Sequence, residues 1–356
     1  MITITLAMIV KNEEEVLARC LYSVKDLVDE IIIVDTGSTD KTIEIARNFT
    51  DKIFNFEWIN DFSAARNYAF SLATKEYIMW LDADDILHSD QHEKFKRLKR
   101  ELSPEVDIVM LRYLTVIDED GKPVESLFRE RILKREKNYQ WVEPVHEQID
   151  VKGNIKAYGI TITHGPKNRT HFTRNLLILE KQENLSIRGI FNYGRELQVN
   201  KRYEDAIVQY NKFLEDTRGE SMIDYTETKV IACYLLADCY LYLGDILSCV
   251  KWLKQSCSYK PAQPEACCRI GEYYFEKKDY EQALLWTKKA LDCQHYEVTG
   301  FTKPQYKELI PHLQLTKIYA KLAKIELAYF HHQEAKKLNP NHPSILYNED
   351  HFKKLR

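Results

Sequence analysis

Apolar and polar positions follow one rhythm in the first half of the chain and another in the second. Residues 3–10 form a short apolar run containing β-branched side chains, the mark of a buried strand. Val16, Leu17, Cys20 and Leu21 then recur at helical spacing, which predicts a helix over 13–24. Residues 30–34 predict a second strand that ends in Asp35. Ser38, Thr39 and Asp40 offer an N-cap for a helix over 42–49. A short strand over 52–58, a helix over 63–73 and a buried strand over 77–81 follow. Strands and helices alternating at these lengths predict a parallel, doubly wound α/β core.

Beyond Asp85 the pattern becomes mixed. Residues 88–102 read as a strongly charged helix. Residues 107–118 and 126–134 read as strands joined by the turn signal Asp120, Gly121, Lys122, Pro123. Residues 155–164 alternate as a further strand. From about Thr173 onward strand signals vanish and helices rich in tyrosine, leucine and alanine take over.

That second half repeats. Gly244, Asp245 and Cys249 align with Lys278, Asp279 and Ala283 at an offset of 34 residues. An earlier unit runs from Asn192 through Ala206, and a last one carries Ala328 and ends at Asn339 and Pro340; Lys260 and Pro261 end the preceding unit. A period of 34, a small residue in the second helix and a closing proline are the tetratricopeptide signature. Spacings of 43 and 45 residues elsewhere imply insertions, and about four repeats are expected. The stripe of Tyr234, Tyr240, Tyr242, Tyr273 and Tyr274 is expected to pack mostly between helices. Two domains are therefore expected, 1–180 and 181–356, as the length of 356 residues also suggests.

Composition excludes some function classes. A net charge of −3 leaves no basic excess for nucleic acid. The early apolar stretch 2–10 is short and lacks a basic flank and a cleavage site, so neither a signal peptide nor a membrane span is expected, and the chain is expected to be cytoplasmic. Seven of the eight cysteines fall between Cys233 and Cys293, no CxxC pair occurs, and Cys267 and Cys268 are adjacent. All eight are read as reduced thiols, mostly small buried residues of helices.

The chemistry concentrates at the end of the strand over 77–81, where Asp82, Ala83, Asp84 and Asp85 follow an apolar run. Ligands bind at the carboxyl edge of an open α/β sheet. Carboxylates spaced there suit a hard divalent cation that also meets substrate phosphates. Asp82 is best placed for a ribose and Asp84 for the metal, while Asp85 is expected to cap the next helix. Asp35 can accept the N–H of a uracil or cap its own loop. Arg66, early on its helix, can reach a base carbonyl or a phosphate, or pair with Asp35 or Asp82. Arg129 and Arg131 alternate onto one strand face, where they could neutralise a diphosphate, with surface ion pairs to Glu125 or Glu130 as the default. Trp141 suits either a sugar face or the core.

Three segments carry a resemblance. Val10-Lys11-Asn12-Glu13-Glu14, the run from Val34 to Thr42, and Leu81-Asp82-Ala83-Asp84 look like the hallmarks of family 2 glycosyltransferases of the GT-A fold. One departure is Thr36, where many members carry a second Asp. Asn60-Asp61-Phe62-Ser63, Ala65-Arg66-Asn67, Val145-His146-Glu147 and Gly194-Arg195-Glu196-Leu197 further resemble bacterial glycosyltransferases with a tetratricopeptide tail, a group that includes peptide S-glycosyltransferases of the sublancin type.

The resemblance implies inverting transfer from a UDP-sugar, with Mg2+ or Mn2+ as cofactor. Val10, Asn12, Glu14, Asp35, Arg66, Asp82, Ala83 and Trp141 would then be substrate-binding. Asp84 and a late-domain histidine, His164, would hold the metal. Glu147, with His146 and Glu143 as alternatives, would take the acceptor's proton. The expected acceptor is a peptide or protein side chain (Cys, Ser or Thr) presented by the repeats. A lipid-linked or surface glycan acceptor and a catalytically silent scaffold are the competing readings. An exposed repeat face is also compatible with a homodimer.

Overall fold

The computed structural model describes residues 1–117, 123–165, 173–217, 224–293 and 304–354. The turn expected at 120–123 falls largely outside them. The chain divides into two compact units, Met1–Asn184 and Leu185–Arg356.

In the first unit, strands β1 (Ile4–Val10), β2 (Glu30–Asp35), β3 (Ile53–Asn55) and β4 (Tyr77–Trp80) alternate with helices α1 (Leu17–Val24), α2 (Thr42–Ala46) and α3 (Phe62–Ser71). Next come β5 (Asp85–Ile86), α4 (His92–Glu101), β6 (Ile108–Ile117) and β7 (Pro123–Lys134). The small hairpin β8 (Trp141–Val142) and β9 (Gln148–Ile149) precedes β10 (Ile155–His164) and α5 (Arg174–Glu180). The large sheet has the order β3-β2-β1-β4-β7-β6-β10-β5. Strands β1 to β4 are mutually parallel, β7 is antiparallel to both its neighbours, and β10 runs parallel to β6 but antiparallel to β5.

Both faces of the parallel part are buried, which is why its strands read as continuous apolar runs. Ile4, Leu6, Met8, Ile33 and Met79 share one face with Leu17 and Leu21 of α1 and Phe95 and Leu98 of α4. Ala7, Ile32, Ile78 and Trp80 share the other with Phe70 of α3 and with Trp141 and Ile149 of the hairpin. Helix α1 starts at Leu17, four residues later than the expected 13, and β3 is three residues rather than seven. Asp40 does not sit at the N-cap of α2; it accepts the N–H of Thr42 at 3.0 Å from outside the helix. Asp85 begins a strand instead of capping a helix.

Among its described residues the second unit is all helical. Four antiparallel pairs follow one another: α6 (Ile187–Val199) with α7 (Tyr203–Asp216), α8 (Thr226–Tyr242) with α9 (Ile246–Ser256), α10 (Pro264–Glu276) with α11 (Tyr280–Asp292), and α12 (Leu309–Lys321) with α13 (Ile325–Leu338), closed by α14 (Pro343–Lys354). The small residues expected in the second helices, Ala206, Cys249, Ala283 and Ala328, are all buried. Tyr234, Tyr240 and Tyr274 pack around Ala237 and Ile270 as expected, whereas Tyr242 is exposed and stacks on Tyr203. All eight cysteines are free thiols, six of them buried.

Each pair turns on one left-handed residue placed two before the second helix: Lys201, Gly244, Lys278 and Ala323, with φ of 61°, 80°, 62° and 59°. Only one of the four is glycine, and a Cβ in this region is disfavoured by ~1–2 kcal/mol. Lys278→Gly is expected to stabilise the protein by about 0.5–1 kcal/mol, the gain being trimmed by the freer unfolded chain. A higher urea midpoint with an unchanged slope is the expected observation; a lower midpoint would show that the lysine side chain matters more than its backbone.

Candidate active site

The carboxyl edge of β1, β2 and β4 is built by loops that brace one another. Thr39 donates its N–H to Asn12 Oδ1 at 2.7 Å, and Asn12 donates its own N–H to Ser38 Oγ at 3.0 Å. Lys41 N–H reaches Glu14 Oε2 at 3.0 Å, and Thr36 N–H reaches the Val10 carbonyl at 3.0 Å. Asp35 is buried, and its carboxylate accepts from Gly37 N–H at 3.1 Å, Ser38 N–H at 3.1 Å and Ser38 Oγ at 2.5 Å. The acid therefore caps its own turn, the loop role that the sequence left open beside base recognition.

Arg66 is the hub of the next layer. Helix α3 is capped by Asp61, which accepts the Ala64 N–H, and this places Arg66 over the sheet. Its Nη2 donates to Asp82 Oδ1 and its Nε to Glu147 Oε1, both at 2.8 Å. The guanidinium lies 4.9 Å from the ring centre of Trp80 and 4.8 Å from that of Trp141. Burial alone would raise the Asp82 carboxyl, but the positive charges of Arg66 and Arg131 outweigh it and hold it down to about 2. Trp141 does not suit sugar stacking: the residue is 2% exposed and its ring packs edge-on against Trp80 and Phe70. Ala83 likewise turns its methyl into the core, so only its backbone can meet a ligand.

The segment 143–147 hangs on the start of α3. The Ser63 hydroxyl donates to the Glu143 carbonyl, and Phe62 N–H donates to the Pro144 carbonyl at 3.0 Å. Glu143 and His146 both adopt left-handed backbone, with φ of 76° and 57°. Two such residues in five positions store strain that the surrounding contacts must sustain. The turn brings the Glu147 carboxylate to the same guanidinium as Asp82.

Beside this layer Asp84, Asp85 and His164 converge, with one donor atom from each lying within 4.8 Å of the others. The antiparallel pairing of β5 with β10 sets His164 directly opposite Asp85. His164 Nδ1 lies 3.0 Å from Tyr113 Oη, 3.6 Å from Asp84 Oδ1 and 3.8 Å from Asp85 Oδ1. Asp85 and Asp84 raise the imidazole above its ordinary value against an opposing effect of burial. Asp85 Oδ1 is buried without a hydrogen-bond partner. A carboxylate pair, an imidazole and an orphaned buried oxygen fit a divalent cation of the Mg2+ or Mn2+ kind.

The turn after His164 is tied down by Gly165, whose N–H donates to the Asp84 carbonyl at 2.8 Å. A Cβ at Gly165 would come within 2.7 Å of that oxygen and 2.5 Å of Arg19 Nη2. Gly165→Ala is therefore expected to push β10 away from Asp84 and to weaken Mn2+ binding at least tenfold. Isothermal titration checks this, and wild-type affinity would mean that the turn does not hold the site together.

Sequence reasoning missed Tyr113 and gave Arg131 the wrong partner. Arg131 is wholly buried and donates from Nη1 to Asp85 Oδ2 at 2.9 Å, so it does not share the fate of Arg129, which pairs with Glu130 at 3.1 Å. The simple alternation argument fails because the ladder skips Arg131: Val109 faces Ile132 and Met110 faces Glu130.

The comparisons with known proteins agree with this layout. Residues 5–151 match the model of glycosyl transferase family 2, and residues 230–263 and 264–292 match the tetratricopeptide repeat. A TPR repeat-containing protein of Synechococcus elongatus is 30% identical over 77% of this chain and 60% of its own length. The SPbeta prophage-derived glycosyltransferase SunS of Bacillus subtilis is 30% identical over 69% of this chain and 62% of its own length. The chain thus spans less than two thirds of these curated relatives. Solved structures similar to it include YrrB, a TPR protein, with a TM-score of 0.38 and 14% identity over 50% of this chain and 84% of that one. No helix among the described residues is long and apolar enough to cross a membrane. With its acid-tipped sheet matched to one family model and two of its four helical pairs to the other, the chain carries a glycosyl transferase family 2 domain followed by tetratricopeptide repeats.

Proposed function

We propose that this protein transfers a sugar from a UDP-sugar, with inversion, to a polypeptide side chain. The observation that carries the reading is the meeting of Asp84, Asp85 and His164 beside the Arg66–Asp82–Glu147 cluster at one sheet edge. A divalent cation held by Asp84 and His164, with Asp85 behind them, would supply positive charge to the leaving diphosphate. Val10, Asn12, Glu14 and Asp35 brace the pocket for the uracil. Asp82, ionised and aimed by Arg66, receives the ribose hydroxyls.

The acceptor attacks the anomeric carbon as the bond from that carbon to the diphosphate oxygen breaks. Its proton passes to Glu147, and UDP leaves. The strained backbone at Glu143 and His146 fits a segment that must hold this carboxylate in one place. A cysteine acceptor, with an ordinary pKa near 8.5, depends on the base less than a hydroxyl does. The repeats bind the polypeptide that carries the acceptor; the identity with SunS supports the enzyme class and leaves the sugar and the acceptor to experiment.

The test is UDP release from a panel of UDP-sugars, with Mn2+ or Mg2+ and no acceptor. Slow metal-dependent release from one sugar is expected. Absence of release for every sugar, together with no UDP binding by titration in the presence of Mn2+, would sink the reading.

A further inference from the structure

The Arg131–Asp85 pair has no exposure at either side chain. Burying two charges is costly, and two apolar residues of similar size commonly serve stability as well or better. Its retention calls for another reason, and the geometry supplies one. Arg131 sits at the skipped position of β7, which swings its side chain in under the acids. The guanidinium is held between Trp80, 3.9 Å from its ring centre, and Tyr113, at 4.4 Å. Nη1 also lies 3.3 Å from the Trp80 carbonyl, while Nε and Nη2 have no hydrogen-bond partner. The forked cation is thus locked by ring faces rather than by a second acid.

What it holds is the turn. Asp85 Oδ2 accepts from Arg131 and also from the Asp82 N–H at 3.0 Å, while Asp85 Oδ1 faces His164. Tyr113, the other wall around the guanidinium, places its hydroxyl 3.0 Å from His164 Nδ1. One buried cation therefore touches both supports of the histidine and the carboxylate that fixes the backbone of Asp82. It also offsets the repulsion of three acids in four positions.

We infer that Arg131 is a positioning residue for the cation centre. Through Asp85 and Tyr113 it sets the spacing between Asp84 and His164, and it touches neither substrate nor metal. The inference rests on the reading of Asp84 and His164 as the cation site.

The experiment uses the full chain and Mn2+ alone, with affinity read by titration and folding by thermal melting. Arg131→Lys keeps a cation and Asp85 but loses the planar fork and the stacking. It is expected to fold and to bind Mn2+ at least fivefold more weakly. Arg131→Met leaves Asp85 buried and unpaired, and a loss of folding is expected. The double variant Arg131→Met with Asp85→Asn removes both charges; it is expected to regain the melting temperature and not the Mn2+ affinity. Affinity within twofold of wild type in either the lysine or the double variant would overturn the inference and leave the pair a packing feature. No Mn2+ binding by the wild-type protein would overturn the cation site itself, a different failure.

Discussion

Asp84→Ala is expected to lower metal-dependent UDP release by about 10³-fold, the scale of losing one preorganised group that stabilises transition-state charge. The variant is expected to fold. The Asp84 carbonyl accepts the Gly165 N–H at 2.8 Å, and alanine keeps that bond. Removing its carboxylate also relieves repulsion with Asp82 and Asp85. The measurement is release with Mn2+ beside a circular-dichroism melt. Release above a tenth of the wild-type rate in a folded variant would remove Asp84 from the centre and leave Asp85 and His164 as the candidates.

Arg66→Met is expected to cost both stability and activity. The Arg66 side chain is 8% exposed and serves two carboxylates at 2.8 Å each, so its removal takes a partner from both. Breaking a buried pair by deleting one partner costs about 3–5 kcal/mol. The lower end applies here, because the Asp82 side chain is 41% exposed and water screens it. Acid unfolding reads the same contact. Asp82 is held down to about 2, so its contribution is present above the ordinary carboxylate value and is lost as pH falls toward 2. Without Arg66 that contribution shrinks to what Arg131 and Arg129 still supply, and the acid limb moves to higher pH. An unchanged acid limb with a normal melting temperature would show that the cluster is a surface feature of no energetic weight.

Much of this was legible along the chain because the signals were local. The strands over 77–80 and 155–164 and the four helix pairs follow from periodicity, and the acids follow from their place after a buried strand. Arg66 was legible as a residue near the edge, and its choice of Asp82 over Asp35 came from the fold. Three things were hidden. Trp141 suited a sugar face as well as the core, and it is the β8–β9 hairpin that folds its ring onto Trp80, a contact between distant segments. Asp85 looked like a helix cap, yet pairing with the late strand β10 made it extended. Arg131 looked like a surface charge, because a bulge cannot be read from alternation that assumes none.

The position of β10 also fixes an order of events during synthesis. In the sheet it lies between β6 and β5, although it is the last strand to leave the ribosome. A nascent chain that has released β1 to β7 already holds Asp82, Asp84, Asp85, Arg66 and Arg131, but no His164, and β5 has no neighbour to pair with. Insertion of β10 closes the sheet and completes the centre in one move, a long-range step of the slow kind. On the proposed reading of the cation centre, affinity for a divalent cation would be acquired only once β10 is in place, and Mn2+ retention on stalled nascent chains of increasing length would time that moment.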